Sequence, residues 1–353
     1  MRRVLLYLLL LILCASPCRG AQTLEPPGLD ELWDQAAQYG VEEETDLENG
    51  LSTLFSQALA QVGDLLRRSA ATGAKLMAVV LLCALAQELR GKEEGVQAVE
   101  LAGAMSITAL TMTDMAAMIG LGRETLEKMD LFSQALLPVM TLLTAATGRV
   151  TSAALRQGAT VFFSQLLLLV MDRLLVPLVY AYAAVSCAQA AVDNPGLGKL
   201  AGLLKSTVTF LLTALLLAFV GYLTASGAIA GSVDASAVKA AKLAISRAIP
   251  VVGSILADAS ETVLAGAGVL RGTVGAAGMV AVLAICLTPF LRLALQYLVY
   301  KGTAALCAMV AQPRLSRLID AIGSAFGLVL GMTGASALIL LVSLASALTA
   351  VVP

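Results

Sequence analysis

The stretch IGSAFGLVLGMTGASALILLVSLASALTAVV, residues 322–352, contains 31 residues and no charged side chain. About 20 apolar residues in a helix suffice to cross a hydrocarbon core of roughly 30 Å. This stretch therefore crosses a bilayer with length to spare for tilt. Working outward, the same character recurs at 72–89, 96–121, 159–191, 203–225 and 274–300. Two shorter apolar pieces, 131–147 and 249–267, either cross fully or dip in and return, so the count is six or seven spans. The whole chain is 59% hydrophobic and 13% charged, with mean hydropathy +0.87. Ordinary soluble domains carry about 25% charged residues. The expected fold is an all-α, polytopic integral membrane helical bundle.

Prolines suggest that part of the bundle is duplicated. Leu137-Pro138-Val139 is echoed by Ile249-Pro250-Val251, and Pro177 by Pro289, each pair 112 residues apart. Pro195-Gly196-Leu197-Gly198-Lys199-Leu200 is then echoed by Pro313-Arg314-Leu315-Ser316-Arg317-Leu318. Proline removes a backbone donor and bends a helix. In lipid such a break persists where protein or water re-satisfies the freed groups. Corresponding breaks in two halves point to a transporter-like or channel-like core. Pro138, Pro177, Pro250 and Pro289 are therefore expected helix breaks, with a first membrane repeat at 129–227 and a second at 240–353. Glycine pairs four residues apart, such as Gly198/Gly202 and Gly327/Gly331, read as helix-packing contacts.

The N-terminus differs. Arg2 and Arg3 precede an apolar run, Val4 to Leu13, too short to span, with small residues after it. This reads as a signal peptide at 1–20, the alternative being an uncleaved first anchor. Residues 21–68 form an acidic extracytoplasmic segment, rich in Asp and Glu from Glu25 to Glu48. Leu47, Leu51, Leu54, Phe55, Ala58, Leu59, Val62, Leu65 and Leu66 place an apolar stripe on a helix within it. That stripe lies on the chain's own membrane core or docks a partner. Two N-terminal transmembrane helices are expected over 69–128, joined by the charged turn Arg90 to Glu94. Lys199/Lys205 and Lys239/Lys242/Arg247 flank one span on opposite sides, so charge counting does not orient the later spans.

Composition excludes several activities. The chain has no histidine, hence no HExxH zinc site and no Ser-His-Asp triad, and it carries no Walker A loop. No catalytic residue, metal or cofactor is expected, and a net charge of −1 argues against a nucleic-acid partner. Cys83, Cys187, Cys286 and Cys307 lie singly in apolar surroundings and read as small hydrophobic filler. Ionisable groups inside spans are costly and mark candidate functional positions. They are Glu100, Asp114, Asp172, Arg173, Asp258, Glu261 and Arg292. Asp172 and Arg173 are adjacent, so they point apart on a helix and each needs another partner. Asp258 and Glu261 share a helical face, where they could bind a cation or share a proton, or simply face water at the interface. Arg292 is either a snorkelling side chain or half of a buried pair.

The stretch Lys239-Ala240-Ala241-Lys242-Leu243-Ala244-Ile245-Ser246-Arg247-Ala248-Ile249-Pro250-Val251-Val252-Gly253 resembles the hallmark of the stage III sporulation protein AE family. Asp258 to Leu264, Val274-Gly275, Pro289 and Tyr297-Leu298-Val299-Tyr300-Lys301 extend the resemblance, as do Leu137-Pro138-Val139 upstream and the signal peptide. The resemblance implies a membrane component of the assembly joining mother cell and forespore in endospore-forming bacteria. It would sit in the mother-cell membrane around the forespore. Its implied partners are other stage III sporulation A-operon proteins, including an ATPase and ring-forming proteins, and indirectly stage II sporulation protein Q. A free-standing secondary transporter with a midplane site between two repeats, and a purely structural bundle, are the competing readings.

Overall fold

The structure is a computed structural model that describes residue 37 and residues 47–90, 93–146, 162–225, 273–310 and 313–351. Six helices carry those segments: α1 (Leu47–Arg90), α2 (Glu93–Ala146), α3 (Phe162–Val192), α4 (Pro195–Ala225), α5 (Thr273–Val310) and α6 (Pro313–Val351). All six are long and apolar enough to cross a membrane. The fold is all-α, a multi-pass helical bundle.

Three helical hairpins share one end of the bundle. The α3–α4 turn shows how such a corner is built. Asp193 closes α3 in the left-handed region (φ 52°, ψ 41°), its N–H reaching the Gln189 carbonyl at 2.8 Å. Asn194 then caps α4, its Oδ1 accepting the Gly196 N–H at 2.8 Å, and Pro195 takes the first helical position, where its missing donor costs nothing. Pro313 opens α6 in the same way. Arg314 ties this corner to the others, contacting the last carbonyls of α3 and Glu100 near the start of α2.

Helix α6 runs up the middle. In its most apolar window 94% of residues are buried, against 22% for α4. Its surface is rich in Gly, Ala and Ser, which lets neighbours approach closely where lipid offers no hydrophobic drive for helix association. Gly327 lies against the Tyr297 ring and Gly323 against Tyr300, on the α5 side. Gly122 of α2 lies against Val329. One apolar core joins Leu76 and Val80 of α1 to Ile107, Met171, Leu212, Tyr300 and Phe326. A second joins Met129, Phe132 and Leu136 of α2 to Val280 and Leu341 at the opposite end.

Several boundaries differ from expectation. The amphipathic segment and the first span are one 44-residue helix, α1. Leu54 packs on the second core and Ala58 is buried, whereas Phe55 and Leu66 of the same stripe are exposed. Helix α2 runs 54 residues through the polar stretch at 122–128 and through Pro138, where a boundary and a break were expected. Hydropathy reports the surroundings of a helix and not its continuity. Where it falls, the pairs Arg123–Glu127 (3.3 Å) and Lys128–Glu124 (2.9 Å) support the helix at i,i+4. Pro289 is likewise inside a continuous α5 and is not a break. Its fixed φ is already helical and only one backbone hydrogen bond is lost, while Ile285, Cys286 and Leu293 around it are buried and hold the helix in place. Pro177 does follow an irregularity: Met171–Leu175 form a π-turn, with the Val176 N–H reaching back to the Met171 carbonyl. Pro250 lies outside the described residues.

Pro195 and Pro313 both start helices, and Pro177 and Pro289 both lie within the preceding ones. The two second helices thus both open on a proline but differ in burial, since α6 is enclosed and α4 is peripheral. Gly198 is packed against Gln189, as the small-residue reading expects, but Gly202 has nothing within 4 Å. Cys286 and Cys307 are buried free thiols within the apolar cores.

Candidate functional site in the helix bundle

Among the described residues, charged side chains meet partners on other helices at four places. The first is the hairpin end. Arg314 donates from Nε to the Ala190 carbonyl and from an η nitrogen to the Ala191 carbonyl, both at 2.6 Å. Its other η nitrogen faces Glu100 at 3.4 Å, with side-chain exposures of 12% and 13%. One guanidinium therefore satisfies two orphan carbonyls of α3, meets the negative end of that helix, and neutralises a buried carboxylate. Beside it lies a cleft between α3 and α6 lined by Ser186, Gln189, Asp193, Arg317 and Leu318.

The second place lies deeper, between α4, α5 and α6. Lys301 donates to Asp320 Oδ1 at 2.6 Å, to the Asp320 carbonyl at 3.3 Å and to Ser324 Oγ at 2.8 Å. Lys205 of α4 donates to the same Ser324 oxygen at 3.2 Å. Two ammonium groups thus converge on one hydroxyl with one carboxylate beside them.

The third is Asp114 of α2. Its Oδ2 accepts from Tyr300 Oη at 3.1 Å and Gln296 Nε2 at 3.4 Å. Both donors are on α5 and buried, and the Tyr300 ring stands edge-on to Phe326 of α6, centroids 4.9 Å apart. The contact clasps α2, α5 and α6 at one level. Tyr300→Phe should cost about 1–2 kcal/mol, because a charge-assisted hydrogen bond is lost while the ring packing stays. Thermal unfolding in detergent, followed by helicity, reads this; an unchanged midpoint would mean that the clasp carries no energy.

The fourth is the π-turn of α3. Asp172 accepts from Arg123 of α2 at 3.1 Å, and Arg123 also faces Glu127. Arg173, 80% exposed, sits 3.8 Å from Asp172. The expectation that Asp172 finds another partner holds. The two neighbours were expected to pair poorly with each other, and they come together only at 3.8 Å, the limit of ion-pair distance.

Of the positions singled out from sequence, Glu100, Asp114 and Asp172 are paired across helices. Arg292 is exposed on α5, with no ion-pair partner among the described residues. Asp258 and Glu261 lie outside the described residues. The positions missed were Lys205, Lys301, Asp320 and Arg314. They fall at or just outside the ends of the hydrophobic runs, where a charge reads as an end marker. Their signal was available: each hairpin corner has a cation within a few turns of it.

These features define a multi-pass helical membrane protein whose helices are clasped by polar junctions. The family described as Stage III sporulation protein AE matches residues 39–350, and the chain belongs to it. It is also 27% identical over 202 residues to Stage III sporulation protein AE of Bacillus subtilis (strain 168), a region covering 57% of this chain and 51% of the relative. The match thus spans about half the length of that relative. No solved structure matches the chain.

Proposed function

We propose that this protein is a non-catalytic scaffold in the sporulation assembly that joins mother cell and forespore, embedded in the mother-cell membrane. Its family membership supports the process. The single observation that favours a scaffold over a pore is the position of α6. With 94% of its apolar window enclosed, the middle of the described bundle is filled by a helix and not by a lumen. A path for solute, where the assembly has one, then lies between chains or between this chain and its partners. Those partners are the other A-operon proteins, including the ATPase and the ring-forming proteins, with stage II sporulation protein Q reached indirectly.

The test is reconstitution of the purified chain alone in liposomes, alongside affinity isolation from sporulating cells. The lone chain should pass neither ions nor small solutes, and the ATPase should co-purify with it. Solute flux through the lone chain would overturn the scaffold in favour of a stand-alone transporter. Failure of the ATPase and ring-forming proteins to co-purify would remove it from the assembly.

A further inference from the structure

We infer that the Lys205–Lys301–Asp320–Ser324 junction is a binding site for a phosphate-type monoanion, with the headgroup of an anionic phospholipid as its favoured source. The inference is independent of the role in sporulation. It rests on the hydrogen bonds and charge of this one junction.

Donors outnumber acceptors there. An ammonium has three N–H donors. Lys301 uses its three on the Asp320 carboxylate, the Asp320 carbonyl and Ser324. Lys205 makes one hydrogen bond, to Ser324, among the described residues. Among the described residues, two of its donors remain and no carboxylate lies within ion-pair distance of it. Ser324 Oγ already accepts twice, and its own proton faces the Tyr182 hydroxyl oxygen. The remaining neighbours are neutral: Tyr182 of α3, beside Ser324, and Tyr297 of α5, facing Asp320. Among the described residues, two lysines against one aspartate leave a surplus of one positive charge in a setting where an unpaired charge is costly. Because both ammonium groups touch the same oxygen, they cannot be farther apart than those two contacts together. A phosphodiester, with one negative charge and two free oxygens, matches both the charge and the open donors.

Access is lateral. Lys301 is 28% and Asp320 50% exposed at the side chain, on the flank of a bundle whose middle is filled. Counting along each helix from the shared hairpin end, the three charges sit roughly 10–15 Å in. Helices of 31 to 39 residues rise about 46–58 Å, well beyond a hydrocarbon core of roughly 30 Å. Their ends therefore project, and the junction falls near the boundary between headgroups and acyl chains. Basic pockets between spans at that depth hold anionic headgroups.

The experiment uses the full chain in nanodiscs of phosphatidylcholine with or without phosphatidylglycerol, with bound lipid read by native mass spectrometry after transfer to detergent. Wild type should retain phosphatidylglycerol over phosphatidylcholine, and Lys205→Gln should weaken that preference about fivefold or more. Lys205→Arg should keep it, and Asp320→Asn, which removes the competing charge, should strengthen it. Lys199→Gln, exposed on the same helix, should leave it unchanged. A parallel arm adds inorganic phosphate to phosphatidylcholine discs: thermal stabilisation of wild type but not of Lys205→Gln supports the same site with a soluble anion as its source. Equal retention of both lipids by wild type, together with no response to phosphate, would overturn the proposal. So would full lipid preference in a folded Lys205→Gln protein, folding being checked by helicity.

Discussion

Replacing Arg314 with methionine should destabilise the bundle by about 3–5 kcal/mol, the cost of breaking a buried ion pair from one side. Three losses combine at this position. Glu100 loses its cation at 13% side-chain exposure. The carbonyls of Ala190 and Ala191 lose the donors that end α3. The link that holds the α3–α4 corner to the start of α6 disappears. Methionine retains most of the volume, so the effect reads polar loss and not a cavity. Arg314→Lys should fall between, since an ammonium replaces the charge but not the planar fork. Glu100→Gln should cost less than Arg314→Met, because both carbonyl caps survive it. The double substitution should cost less than the two singles together, because they share one interaction. Thermal unfolding in detergent measures all four variants. An Arg314→Met midpoint indistinguishable from wild type would show that water, not the guanidinium, satisfies this corner.

Gly122→Leu should separate α2 from the central helix, with a loss of about 1–3 kcal/mol or more. A Cβ built at Gly122 overlaps Val329 Cγ1 and approaches Thr333 Oγ1 to 3.8 Å. Val329 is β-branched and 1% exposed on α6, so it has no free rotamer to move into. Gly122→Ala makes the sharper comparison. In an open helical position that change gains up to about 1 kcal/mol of helix propensity. Here overlap should win and the sign should reverse. At Gly120 and Gly202 nothing lies within 4 Å of a built Cβ, so Ala at either should be neutral or stabilising. If Gly122→Ala stabilised the protein as much as Gly120→Ala, the close approach of α2 to α6 would be wrong.

Some of this architecture was legible from single residues. Uncharged runs such as 322–352 announce spans, because hydropathy and length are local properties of the chain. Asp114 and Glu100 were identifiable because a carboxylate inside an apolar run has a cost wherever the helix packs. Arg314, Lys205, Lys301 and Asp320 were not, because a charge near the end of a run is ordinary until its partners come from other helices. Lys205 and Ser324 lie far apart in sequence and share a hydrogen bond. Proline misled at positions 138 and 289. It signals a missing donor, but a helix held by neighbours tolerates one lost hydrogen bond, and of the three described positions only Pro177 follows an actual change of helical geometry.

The amino-acid order alone settled that this protein is helical, lies in a bilayer and crosses it several times, since long apolar stretches have no other way to satisfy their backbone in lipid. Which of those helices stands at the centre was decided only on assembly. Helices α4 and α6 are comparably apolar, yet one is peripheral and the other enclosed. Lipid and protein interior are equally apolar, so hydropathy does not tell them apart. The small side chains of α6, and the polar groups of its neighbours that need partners, put it in the middle.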